Sequence, residues 1–494
     1  MLNAPDAAGA LVALNRFGLG ARPGGLAAAA GDPRGFLKEE AGSADVALVT
    51  ADLPPTSTGL QQLFAEQERI RQERERSTQV RAGAQANGMM ATGAGVTPMA
   101  APPASNPVMT NRPAPDPKPK PPEPPLAQKL FRAEALARLR KQAGAAAGFV
   151  ERLVAFWSNH FAVSAAKGPF VRLAAGAFER EAIRPHVLGR FADMLRAVET
   201  HPAMLFYLDN QQSIGPNSKA GENRGKGFNE NLAREILELH TLGAGSGYTQ
   251  ADVTSLARII TGWTFAGREG HAGEPGTFIF LPNRHEPGAQ LLLGKVYAQE
   301  GQAQGEAALA DLARHPATAT HLAAKLVRHF IADEPPRALV AKFAKVFRDT
   351  DGDLKALSLS LIDDDTAWRA PLTKMRTPAE FLIAMNRATG FLPPDPGPIL
   401  GASRAMGMPL WQPPGPNGFP DSVAAWASPE AMKLRLDVSW QAAQRARDFG
   451  NPMSVLDTVA GLAASSETRE AMSRAESRPQ ALAILFMSPE FQRR

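Results

Sequence analysis

Glu235 and Glu238 lie three residues apart in the run Gly227-Phe-Asn-Glu-Asn-Leu-Ala-Arg-Glu-Ile-Leu-Glu-Leu-His-Thr-Leu-Gly243. Carboxylates at that spacing share one side of a helix and can share an ion, as in metal sites built inside helical bundles. Three histidines lie elsewhere in polar or aromatic settings. His160 closes Phe156-Trp-Ser-Asn-His-Phe161, His201 opens His201-Pro-Ala-Met-Leu, and His285 sits in Asn283-Arg-His-Glu-Pro287. With Asp209, these define the candidates. Glu235, Glu238, His201, Asp209 and His160 are candidate catalytic residues, and Glu235, His201 and His285 are candidate ligands for a divalent metal. Their convergence in one cleft would mark an enzyme.

Two common patterns are missing. Neither the helical Glu-x-x-His of di-iron carboxylate bundles nor His-Glu-x-x-His occurs around these glutamates. A metal-free hydrolase would need a nucleophile beside a histidine, and Ser158, Ser164 and Ser213 show no nucleophile-elbow pattern. A purely structural account uses the same residues. His240 falls on the apolar side of its helix, where a histidine is often a core residue. Arg234 and Glu238 could pair one turn apart. Glu235 could answer an arginine from another helix, and His160 could donate to a helix end. The result would be a buried polar network ordering a helical core. His321, Lys325 and His329, four apart, form a basic helical face, read as solvated or as meeting an anion or acidic partner.

The elements that must position these groups are mainly helices. Stepping 100° per residue from Asn229 puts Leu232, Ala233, Ile236, Leu237, Leu239 and His240 on one arc. Asn229 is the expected N-cap and Gly243 the expected stop. Pro202 fits a first helical turn capped by His201, and Thr249 caps another with Asp252 in its first turn. Residues 276–281 and 290–294 carry the β signal, as a small hairpin joined through Asn283–Pro287. The expected fold class is mainly α: a large multi-helix, bundle-like domain with one small β-hairpin and long irregular loops. Residues 1–81 form N-terminal helices, including a charged one at 60–81. Residues 82–127, rich in Pro, Ala and Gly, form a disordered insertion. Residues 128–494 form the main helical domain, in which the loop 214–227 is a candidate lid.

Composition narrows the classes. The chain has 494 residues, 44% hydrophobic, enough for a large core. Its 54 basic residues interleave with 49 acidic ones, so no basic face marks a nucleic-acid binder. There is no cysteine, which excludes disulfides and thiolate chemistry. No run approaches the ~20 apolar residues of a membrane span. The start lacks the features of a signal peptide, so the expected location is cytoplasmic, or periplasmic if the chain leaves with a partner.

A resemblance runs nearly end to end. Leu14-Asn-Arg-Phe-Gly-Leu-Gly20, Phe156-Trp-Ser-Asn-His-Phe161, His201-Pro-Ala-Met-Leu205, Tyr207-Leu-Asp-Asn210 and Asn229-Glu-Asn-Leu-Ala-Arg-Glu-Ile-Leu-Glu-Leu239 resemble the bacterial family called domain of unknown function 1800. Tyr248-Thr-Gln-Ala-Asp-Val253, Thr261-Gly-Trp263, Lys325-Leu-Val-Arg-His-Phe330 and Ser488-Pro-Glu-Phe491 are similar to it in the same order. The resemblance implies a large helical bacterial protein without an assigned reaction, often encoded beside an exported companion. Two functions stay open: an enzyme with a polar cleft, metal-assisted or not, and a non-enzymatic helical scaffold or partner for that companion.

Overall fold

The computed structural model describes residues 6–43, 46–48, 53–90, 123–222, 227–270, 272–446 and 450–494. It is mainly helical, with two small antiparallel ribbons among the described residues. The charged helix runs from Thr56 to Met90. It packs through Leu60 and Leu63 and is exposed from Ile70 to Arg81, as its thin apolar stripe predicts. The next helix begins at Leu126. Residues 91–122, most of the expected insertion, lie outside the described residues, as does part of the candidate lid at 223–226.

The β pairing differs from the expected hairpin. Strand β1 (Trp263–Phe265) pairs with β2 (Phe278–Phe280), and β3 (Gln290–Leu292) pairs with β4 (Lys295–Tyr297). The expected connector is occupied elsewhere, because Gly215 and Ala220 donate backbone hydrogen bonds to Arg284 and Asn283. Trp263, fully buried, fixes β1 against the core, and Phe280 lies opposite it in register. The two β segments seen in the sequence therefore each take a different neighbour.

Two of the expected N-caps form, those of His201 and Thr249. His201 Nδ1 accepts from the Ala203 amide at 3.1 Å, with Pro202 in the first turn. Thr249 and Asp252 form a reciprocal capping box. The central helix has one surprise. It is α-helical over Asn231–Glu235 and then becomes a π-helical turn, Ile236–His240. Its N-cap is Glu230 rather than the expected Asn229, whose Oδ1 lies one residue earlier and accepts from the Asn231 amide at 2.8 Å. Leu232, Ala233, Ile236, Leu237 and His240 are buried, as the arc predicts. Gly243 ends the run at φ +89°, and a Cβ there would sit 2.7 Å from His321 Nδ1, so glycine is needed for both backbone and space.

Two apolar cores result. The larger is built mainly from helices up to residue 370, with Trp157, Phe161, Leu237 and Phe330 among its members and Trp411 joining from the later loop. The smaller is built mainly from the helices Pro378–Thr389, Pro429–Arg445, Pro452–Val459 and Arg478–Met487, joined by Leu19 and Leu139. The seam between them is rich in buried guanidinium groups. Arg387 donates to the carbonyls of Gly20, Gln142, Ala145 and Ala146, tying the second core to the N-terminal turns. Arg152 and Arg494 both pair with Glu380. Buried cations of this kind persist because each is hydrogen-bonded and most face a carboxylate.

Candidate active site

A cavity of about 280 Å³ opens at this seam. Its walls include the end of the helix Phe149–His160, the last turns of the helix Pro316–Phe330, the start of the helix Pro378–Thr389, and the irregular loop 408–421. The loop is held in place by Asn159, whose side chain bonds both the amide and the carbonyl of Phe419 at 2.8 and 2.9 Å. Gly418 makes that approach possible, since a Cβ there would lie 2.3 Å from the Asn159 carbonyl oxygen. Behind the lining residues Ser158, Trp411 and Arg138, Glu179 on the π-helical turn Glu179–Ile183 accepts a hydrogen bond from each of them.

Lys325 reaches into this cavity, and its Nζ lies 2.9 Å from His160 Nδ1. The other imidazole nitrogen, Nε2, is 3.1 Å from the His240 carbonyl oxygen. A carbonyl can only accept, so Nε2 carries the proton and Nδ1 offers a lone pair to the lysine. Burial first, and then the charge of Lys325, hold His160 well below the usual histidine range, so it is neutral. Lys325 itself is brought down to about 8, chiefly by burial, with Asp421 opposing and Arg328 assisting. Among the described residues no carboxylate lies within ion-pair distance of it.

One turn further along the same helix, His329 Nδ1 donates to Asp421 Oδ2 at 2.6 Å. Burial keeps His329 below its ordinary value, so its Nε2, buried and without a partner among the described residues, is a lone pair. Asp421 is fixed as a carboxylate. Burial alone would raise it, but His329, Arg494 and Lys374 more than reverse that. An oriented carboxylate–imidazole pair is the base half of many acid–base sites. Of the basic face expected to be solvated or to meet an anion or acidic partner, Lys325 and His329 line the cavity. Spacing showed that His321, Lys325 and His329 share one side, and it could not show what that side meets. His321 turns the other way and donates from Nε2 to the Leu239 carbonyl.

The candidates read from the sequence lie apart from this cavity, apart from His160. His201 bonds Thr56 and Glu181, both at 3.3 Å. Asp209, at φ +59°, pairs with Lys167 at 2.6 Å. Glu238 accepts from the Tyr248 hydroxyl at 3.0 Å, and Arg234 pairs with Glu230 rather than with Glu238. His285 Nδ1 lies 3.1 Å from the Thr261 carbonyl. Glu235 is half-buried and is raised above the usual carboxylate range, mainly by that burial. No hydrogen bond, ion pair or ring contact joins any two of Glu235, His201 and His285 among the described residues. Nor do three or more His, Asp or Glu side chains among the described residues meet as a metal would require, so no chemistry is routed through a metal here. The expectation that His160 donates to a helix end is met, since its acceptor is the last carbonyl of the π-helical turn. His240 is a core histidine, but it faces a buried carboxylate, Glu199, at 2.7 Å.

Among the described residues no helix is long and apolar enough to cross a membrane. Comparison with curated proteins gives no match. Comparison with solved structures gives none either. The model of the family described as protein of unknown function (DUF1800) matches residues 12–493, nearly the whole length, and the chain belongs to that family.

Proposed function

We propose that the chain is an enzyme that performs proton-transfer or amine chemistry on a small ligand held in the cavity between the two cores. One observation carries the reading. Lys325 is a half-buried amine with no carboxylate partner among the described residues, set against a neutral imidazole at 2.9 Å in a space large enough for a small molecule. A lysine placed there for stability alone would be expected to face an acid, as Arg152 and Arg494 do. Perturbed titratable groups lining a cleft are the usual signature of a reacting centre. In this reading Lys325 is the catalytic group, His160 positions it, and the His329–Asp421 pair supplies a second base.

The test is a thermal-shift screen of small organic acids, aldehydes and ketones near pH 7.5, run on the wild type and on Ala379→Phe, which fills the cavity wall. The reading expects at least one class to raise the midpoint of the wild type and to lose that effect in the variant. A screen in which no compound acts through the cavity overturns it.

A second reading, a non-enzymatic helical partner for a companion protein, draws on a different place. Leu436 and Trp440, one turn apart on the helix Pro429–Arg445, remain 50% and 46% exposed. Such side chains are common anchors at interfaces. A companion that binds the wild type and loses its hold on Trp440→Ser would favour this account.

A further inference from the structure

The reading of the cavity as a reacting centre can be taken to a substrate class. We infer that Lys325 forms an imine with a small oxo acid, the carbonyl carbon bonding to Nζ and the acid group meeting Arg328. The inference rests on the proposed enzymatic reading and adds the ligand's chemistry to it.

Three features of the geometry carry it. First, Nζ has a single polar contact, His160 Nδ1, and that contact accepts a proton from the amine, so the lone pair of the neutral amine is left for the cavity. An amine bound to a carboxylate would not be available in this way. Second, Arg328 follows three residues later on the same helix and also lines the cavity. Its Nε is taken by the Asp333 carbonyl at 3.1 Å, while its terminal nitrogens have no partner among the described residues. Nearness to Lys325 is enough for its charge to act on the amine. A guanidinium fork is suited to a carboxylate. Third, Phe156, Met408 and Leu410 give the cavity an apolar side, which suits a short carbon skeleton.

The step balances without any further reagent. The Nζ lone pair bonds to the carbonyl carbon, and the C=O π pair moves onto oxygen. The two amine hydrogens then leave with that oxygen as water, and a C=N bond remains. His160 Nδ1, touching Nζ, is the first station for the departing proton. Protonated, the imine withdraws electrons from the adjacent carbon and makes its proton more acidic.

The experiment uses full-length protein with glyoxylate or pyruvate and sodium cyanoborohydride at pH 7.5, read by intact mass and peptide mapping. The expected result is one reduced adduct per chain, on Lys325. It should disappear in Lys325→Arg and persist in Lys167→Arg, a surface control. Arg328→Met should lower the trapping rate of glyoxylate at least tenfold and leave that of propanal within about twofold. Adducts spread over surface lysines, or an unchanged yield in Lys325→Arg, overturn the imine. If trapping fails while the cavity-dependent thermal shift remains, the imine falls and the enzymatic reading stands. If both fail, both fall. Equal loss of glyoxylate and propanal trapping in Arg328→Met overturns the acid-group assignment.

Discussion

The amine of Lys325 and the imidazole of His160 come from helices 165 residues apart and meet at 2.9 Å. Each is set by something behind it. The His240 carbonyl holds the tautomer of His160, and the burial of Lys325 brings its amine toward the neutral form. The pair costs stability, and the cost has a definite pH dependence. Lys325 titrates near 8 when folded and near 10.5 when unfolded, so the unfolded chain holds more protons between those values. Stability therefore rises with pH through that window. Lys325→Met is expected to be more stable than wild type by about 2 kcal/mol at pH 7, with the difference gone near pH 10.5. Denaturant midpoints across pH 7–10.5 check it. A less stable variant at pH 7 would mean that the lysine is a structural partner.

Glu380 shows the opposite sign. Burial would raise its carboxyl, but Arg152, Arg494 and His329 outweigh it and bring the group to about 2. The stability it contributes is fully present above the ordinary carboxylate range and is lost as pH falls from about 4.5 towards 2. Glu380→Gln is expected to cost roughly 3 kcal/mol at pH 7, and its stability should converge on that of the wild type by about pH 2. Urea titrations at pH 6, 4 and 3 would follow the convergence. A constant gap would show that packing, not charge, accounts for the loss.

Much of the fold was legible because its signals are local. The apolar arc from Leu232 to His240, the His201–Pro202 cap, the Thr249–Asp252 box and the Gly243 stop need only neighbouring residues. The cavity was not legible for the converse reason. Lys325 and His329 were visible as a pair on one face, but Asp421 reaches His329 from 92 residues downstream, in a proline- and glycine-rich loop with no periodicity. The strands failed in the same way: two short apolar runs could be seen, and which neighbours they would pair with could not. Arginine spacing likewise gave no warning that Arg152, Arg387 and Arg494 are buried. Their partners are carbonyls and a carboxylate supplied by distant segments.

Glu235 is expected to behave as a lightly strained acid. Burial raises its carboxyl, so ionising it in the folded state costs more than in the unfolded one. That penalty is present at neutral pH and absent below about 4, where both states are protonated. Glu235→Gln should therefore be more stable than wild type at pH 7 and lose that advantage as the pH falls through the ordinary carboxylate range. Elemental analysis of untagged protein runs alongside. A variant that loses stability together with a bound metal would make Glu235 a ligand and restore the metal-assisted account.

The last prediction separates positioning from structure at His160. His160→Leu removes the acceptor for Lys325 and the donor for the His240 carbonyl, leaving two buried polar groups unsatisfied, for an expected loss of roughly 2–4 kcal/mol. A structural role would end there. A positioning role makes a second claim. The ammonium form of Lys325 donates to Nδ1, so without that acceptor the ammonium is less favoured and the amine should titrate below its wild-type value of about 8. Carbamoylation of Lys325 by cyanate, followed by peptide mapping at several pH values, reads this directly. Wild type should reach half its maximal rate near pH 8, and His160→Leu at a lower pH. His160→Asn, which keeps a donor and an acceptor on a shorter arm, should fall between them. If all three titrate together, His160 does not set the state of Lys325 and serves only to cap the π-helical turn.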